Sequence, residues 1–324
     1  MQHQTKMPKP NGLSSSIKAF IANIPKKYIV KTGNILGGLA YLLDTRHRRI
    51  VKRNLNFTHP EWPLDKIKKL SIKTFQNMGI TVLEICQMTC FSKEDILKKV
   101  RIRGKENLLN TIKSSKGVIM ISAHIGNWEM GHLFVSRYIQ KSLLVVVQNQ
   151  PDIVERIIHK LRTSTGNTII SKRGAMTKLV RTLHKGKMVG LLIDQGTSRG
   201  EGVDISFFGR KTNATYAASL LAARYNCPVL PIYCIREPDA NLTVVVEPPL
   251  KLHKTDDVRA NLQTNTQIMT DSVEKIIRLY PEQWLWFHKR WKRHYPELYP
   301  EDLARRQRQR EKRRAKGKKN DNNG

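Results

Sequence analysis

The stretch GVIMISAHIGNWEMGHLF, residues 117–134, changes periodicity halfway along. Val118 to Ile121 form an apolar run of strand type, and Ser122, Ala123 and His124 end it. The run over 127–140 then has helical spacing. Strand, turn and helix in that order form the repeating unit of a layered α/β domain. His124 falls in the turn at the strand's carboxyl end, where such sheets hold their ligands. Glu129 falls in the first helical turn, behind GN at 126–127, which supplies the bend and an N-cap at Asn127.

Outward from this unit the alternation continues. Strand-like runs cover 142–148, 167–171, 188–193, 228–235 and 242–247, with helical runs at 151–164, 174–185 and 213–225. The spacing predicts a central, mostly parallel sheet flanked by helices. The last two strands are close enough in sequence to form an antiparallel hairpin at one edge, and a further helix covers 255–280. Before the sheet, residues 17–91 read as helical. Ile35, Leu36, Leu39, Leu42 and Leu43 recur at helix spacing, followed by the basic cluster RHRRIVKR at 46–53. After Pro63 a second periodic run carries Ile67, Leu70, Phe75, Met78, Val82 and Ile85. The chain thus divides into a disordered start (1–16), a helical segment (17–99), an α/β domain (100–299) and a disordered basic tail (300–324).

Charge narrows the partners. Lys and Arg number 58 against 26 Asp and Glu, a net charge of +32. A field of that sign attracts nucleic acid, anionic lipid headgroups or an acidic protein. No recognisable nucleic-acid-binding pattern accompanies it, and no nucleic-acid partner is expected. No run is apolar for the ~18 residues that span a bilayer, because Lys31, Thr32 and Asn34 interrupt the nearest candidate. An apolar helix beside a basic cluster can lie on an anionic membrane surface or pack into a core with a solvated basic end. Cys86, Cys90, Cys227 and Cys234 lack the spacing of a zinc site and read as free thiols.

The histidine and glutamate carry the chemistry. In a continuous helix, positions five apart point about 140° from each other. A shared site therefore needs His124 outside the helix, with Glu129 reaching back to it. An imidazole oriented by a carboxylate is a general base able to take a proton from a hydroxyl. No GxSxG nucleophile is present, and a metalloprotease reading fails because the next histidine, His132, lies eight residues on.

SAHIGNWE at 122–129 resembles the HX4(D/E) motif of glycerolipid-type acyltransferases, in the GNWE form of the lipid A biosynthesis late acyltransferases. Three blocks carry the resemblance in order: VRIRGKENLLNTIKSSKGVIMISAHIGNWE (100–129), LLIDQGTSRGEGVDISFFGRKTNATYAASLLAARYNCPVLPIY (191–233) and YPEQWLWFHKRWK (280–292). The resemblance implies a glycerolipid-acyltransferase-like fold and an enzyme on the cytoplasmic side of the inner membrane. Such an enzyme takes an acyl chain from acyl carrier protein and esterifies a hydroxyl of a lipid A precursor, with no cofactor and no metal. It implies His124 as general base and Glu129 as its orienting partner. It further implies Arg162 binding phosphate or the oxyanion, with Arg173 as the competing arginine, and Asp194 in a supporting role. Asn127, Gln195 and Phe208 complete the substrate-binding set, with FFG at 207–209 lining an acyl groove. The basic surface suits an acidic carrier protein, a phosphorylated acceptor and an anionic leaflet. WLWFHKRW at 284–291 suits either a membrane interface or tryptophans packed on the sheet. The acceptor stays open to another glycolipid, such as a mannoside, and the donor to acyl-CoA. A hydrolase activating water with the same pair is a further alternative.

Overall fold

The structure, a computed structural model, describes residues 15–140, 143–147, 152–171, 174–197, 200, 202–305, 307, 308 and 311. The expectations for the first fourteen residues, for most of the basic tail and for Arg173 fall outside them.

Helices α1 (Ser15–Ala22), α2 (Lys26–Leu43), α3 (Thr45–Thr58) and α4 (Leu64–Met88) open the chain. The breaks between them follow the sequence. Pro25 and Pro63 precede α2 and α4 in extended conformation, and Asp44 caps α3 by accepting a hydrogen bond from the His47 amide. Helices α2 and α4 pack almost backbone to backbone. A methyl group at Gly37 would overlap the Phe75 carbonyl, and one at Gly79 would overlap the Gly33 carbonyl. Small residues at the crossing make this approach possible.

A short α5 (Lys93–Lys98) leads into the α/β part. Its elements are β1 (Val100–Arg103), α6 (Lys105–Ser114), β2 (Val118–Ser122), α7 (Trp128–Tyr138), β3 (Leu143–Val147), α8 (Asp152–Thr163), β4 (Thr168–Ser171), α9 (Ala175–His184) and β5 (Met188–Leu192). After a hairpin of β6 (Gly202–Phe207) and β7 (Arg210–Thr215) come α10 (Ala217–Tyr225), β8 (Val229–Arg236), β9 (Leu242–Val246) and α11 (Val258–Leu279). The seven-stranded sheet has the order β1-β9-β8-β2-β5-β3-β4. Every neighbouring pair is parallel except β8 with β9. Covered on both faces, β2, β8 and β9 are buried along their whole lengths, which is why they read as continuous apolar runs.

Two details differ from the sequence expectation. The β8–β9 hairpin is not at the edge, because β1 pairs alongside β9. The segment 202–215, of which only 213–215 is expected as helix and the rest has no assigned element, forms the separate two-stranded sheet β6–β7. Within 284–291 the tryptophans turn inward. Trp284, Trp286 and Trp291 are buried and pack with Phe207 and Phe208, so these aromatics belong to the core. Among the described residues no helix is long and apolar enough to cross a membrane.

Candidate active site

Strands β2 and β5 are parallel neighbours with Ser122 level with Leu192. His124 and Asp194, each two residues beyond that rung, therefore leave the sheet side by side at its carboxyl edge. The His124 Nδ1 lies 2.8 Å from Asp194 Oδ1, and the His124 amide donates to Oδ2 at 3.1 Å. Trp284 Nε1 donates to the same Oδ2 at 2.8 Å. A carboxylate only accepts, so Nδ1 carries the proton and Nε2 is the basic nitrogen. Asp194 is almost wholly buried, whereas the His124 side chain keeps 21% exposure. Burial opposes ionisation of Asp194, but His124 and the donated hydrogen bonds outweigh it and hold the carboxyl down at about 2. Burial likewise opposes protonation of His124. The facing carboxylate outweighs that effect and raises the imidazole above its ordinary value.

Glu129 turns the other way. The loop 123–127 is fixed by Gly126 N to Gln283 O (3.0 Å) and Asn127 N to Cys234 O (2.9 Å). Gly126 sits at φ +58°, tight against the Cys234 carbonyl, where a side chain would not fit. Asn127 caps α7 by accepting from the Met130 amide at 3.0 Å. So held, the first turn of α7 directs Glu129 toward the end of α8. There Arg162 donates Nε to Oε2 at 2.8 Å and Nη2 to Oε1 at 2.5 Å, a two-pronged pair. Trp128 Nε1 donates a third hydrogen bond at 3.0 Å. Burial would raise the Glu129 carboxyl, but Arg162 outweighs it and the group stays ionised below its usual range. His132 stands 3.7 Å from the same carboxylate, and burial pushes it down to about 4, so it is neutral.

The imidazole's partner is thus Asp194 and not Glu129, a correction to the expected pairing. Arg162 meets Glu129 instead of presenting a free guanidinium to substrate. Gln195 ends 3.4 Å from Nδ1, a nitrogen already occupied by Asp194, and so stands as a neighbour. Phe208 is buried against Trp284, Trp286 and His59; the FFG segment is core, not the wall of an open groove. Trp284 was not among the sequence candidates, although it lies in the closing block 280–292 that carries the resemblance.

A second layer joins this loop to the helical segment. Glu84 of α4 accepts from Asn127 Nδ2 at 2.9 Å and from Arg236 at 2.8 and 2.5 Å. Thr81 donates to Gly126 O at 3.1 Å. Among the described residues no group of three or more His, Cys, Asp or Glu is placed to hold a metal ion.

The family described as bacterial lipid A biosynthesis acyltransferase matches residues 13–293. The lipid A biosynthesis lauroyltransferase of Escherichia coli (strain K12) is 23% identical over 84% of this chain and 88% of its own length. The palmitoleoyltransferase of the same strain is 23% identical over 83% of this chain and 86% of its own. A phosphatidylinositol mannoside acyltransferase of Mycolicibacterium smegmatis is 22% identical over 57% of this chain and 60% of its own length. Among solved structures, the 1-acyl-sn-glycerophosphate acyltransferase PlsC from Thermotoga maritima aligns over 75% of this chain and 97% of its own. It does so at TM-score 0.33 and 12% identity, too low to bear on the fold.

Proposed function

The chain belongs to the bacterial lipid A biosynthesis acyltransferase family, and from that premise we propose that it transfers a fatty acyl chain from acyl carrier protein to a hydroxyl of a Kdo-bearing tetraacylated lipid A precursor. The reaction takes place at the cytoplasmic face of the inner membrane. His124 is the general base. Its Nε2 takes the acceptor hydroxyl's proton as the oxygen attacks the thioester carbonyl carbon, and a tetrahedral oxyanion forms. Collapse breaks the carbon–sulfur bond, and the departing thiolate recovers the proton from the imidazolium. Asp194 holds the Nδ1–H tautomer and stabilises the imidazolium, the part assigned from sequence to Glu129. Glu129 and Arg162 act together as a positioning pair that fixes the first turn of α7, whose N–H groups lie beside the reacting centre.

The observation that carries this reading is the buried 2.8 Å His124–Asp194 pair with the imidazole's side chain still partly open. The surface supports the setting. Leu42 and Leu43 are exposed at the end of α2, next to the basic start of α3, as suits a helix lying on an anionic leaflet.

The test is an acyl-transfer assay on detergent-extracted protein with acyl carrier proteins loaded with chains of different lengths. His124→Ala is expected to lose about 10,000-fold in turnover while staying folded. Near-native turnover in that variant would remove the general-base assignment. The mannoside acyltransferase likeness favours one second reading, a glycolipid mannoside acceptor, and offering that acceptor in parallel distinguishes the two.

A further inference from the structure

A groove of about 410 Å³ opens between α2 and α4, with Leu36 and Ala40 on one wall and Phe75 and Val82 on the other. Leu285 and Phe287 also line it. The volume lies within the range of small-molecule sites, roughly 300–1,000 Å³. Three observations say what fits it. First, the groove meets the candidate active site, since the Leu285 amide donates to the His124 carbonyl at 3.0 Å and Trp284, one residue earlier, holds Asp194. Second, its outer side runs onto exposed apolar surface. Leu36 and Val82 are about half exposed, and Leu39, Leu42 and Leu43 continue the face along α2. Third, arginines outnumber the one carboxylate where α2 ends. Asp44 and His47, paired at 2.6 Å, line the groove there; Arg48 donates to the Tyr41 and Leu42 carbonyls, and Arg46 and Arg49 follow on α3.

We propose that this groove takes one acyl chain of the lipid acceptor, with the acceptor's phosphate against the arginines at 46–49 and its hydroxyl toward His124. The proposal rests on the acyl-transfer reading above and adds where the acceptor sits. An occupant with an apolar tail and a phosphorylated head matches a groove that is mostly apolar and is followed at one end by three arginines on α3. It enters sideways from the lipid, because the groove's open side is continuous with the exposed leucines. A chain delivered by a soluble carrier protein has no such need for a laterally open, membrane-facing side. The close α2–α4 crossing at Gly37 and Gly79, both of which line the groove, fixes its floor.

Photo-crosslinking tests this without turnover. The full chain is bound to phosphatidylethanolamine–phosphatidylglycerol vesicles carrying a tetraacylated lipid A precursor with a diazirine on one acyl chain. It is then irradiated, digested and mapped. Label is expected at 36–40, 75–82 and 285–287. Ala40→Trp and, from the opposite wall, Val82→Trp are each expected to reduce it about tenfold and to raise the KM for the precursor by a similar factor, with kcat little changed. Label confined to the α/β part overturns the proposal. So does equal groove labelling by diazirine phosphatidylglycerol without precursor, which would make the groove a general membrane contact. Groove labelling by a diazirine-bearing chain on acyl carrier protein overturns it as well. Groove label from the precursor with no acyl transfer to any acceptor would sink the functional reading and leave the binding site standing.

Discussion

His124 and Glu129 lie five residues apart in one motif, yet each is held by a partner from a different part of the chain. Asp194, seventy residues on, takes the histidine; Arg162, thirty-three residues from Glu129, takes the carboxylate. Both pairs are substantially buried and both carboxyls are held below their usual range. The difference is in what each pair leaves free. The histidine pair ends in a free ring nitrogen that can take up and give back a proton. The arginine pair spends its facing groups on a two-pronged clasp around an ionised carboxylate, so it positions and does not exchange a proton.

The sharpest way to break this contrast is Asp194→Asn, which keeps the shape and removes the charge. Turnover is expected to fall about 1,000-fold, because the tautomer is no longer enforced. The pH–rate profile adds a sign. Wild-type activity rises with pH through the His124 value, which Asp194 raises, so in the variant the remaining acid limb shifts to lower pH. Stability carries the matching signature. A carboxyl lowered from 3.8 to about 2 contributes stability above its unfolded value, and that contribution is lost as pH falls through this window. In urea titrations the stretch of falling stability between those pH values is expected to shrink in Asp194→Asn.

Glu129→Ala comes next. It leaves Arg162 buried without its anion, an expected loss of about 3–5 kcal/mol in urea unfolding, with reduced turnover and an acid limb that moves to lower pH by less than in Asp194→Asn, because Glu129 adds a weaker upward push on His124 than Asp194 does. A limb that moved as far as in Asp194→Asn would return the orienting role to Glu129. Trp284→Phe removes one donor from a buried carboxylate, about 1.5–3 kcal/mol for a hydrogen bond to a charged group. Roughly a tenfold drop in kcat is expected, without loss of the fold by circular dichroism. Gly37→Ala, remote from both pairs, is expected to cost about 1–3 kcal/mol by overpacking the α2–α4 crossing. Its thermal midpoint should fall while the His124 limb stays put.

The strands at 118–122, 188–192 and 229–236 were legible because burial on both faces demands unbroken apolar runs. Strand β1 was not, since VRIR alternates cations with apolar residues and half of it meets solvent. Hairpin β6–β7 was not legible either, since β7, RKTNAT, is polar by composition although Thr212, Asn213 and Ala214 are buried. The histidine was legible from its place after a strand, and Asp194 carried the same mark: LLID ends β5 as ISAH ends β2. Equal offset past two strands was the available signal for their pairing, but it needs the strand order, which sequence spacing does not give. Without that order, distance along the chain favours the nearer carboxylate, Glu129. The Arg162 contact depends on how α7 and α8 lie against each other, and no spacing along the chain encodes it.

The role of Trp284 bears on when the protein becomes an enzyme during its own synthesis. Helices α1 to α11, the strands of the seven-stranded sheet and both members of the histidine pair lie before residue 280. The donor that completes the Asp194 environment, the Gln283 carbonyl that fixes the Gly126 amide, and the Leu285 amide bound to His124 all come after it. Domains gain structure from the N-terminus as the chain emerges from the ribosome. A nascent chain can therefore build its helices and sheet while the proposed reacting centre is still unassembled. The contacts that complete that centre wait for residues 283–285.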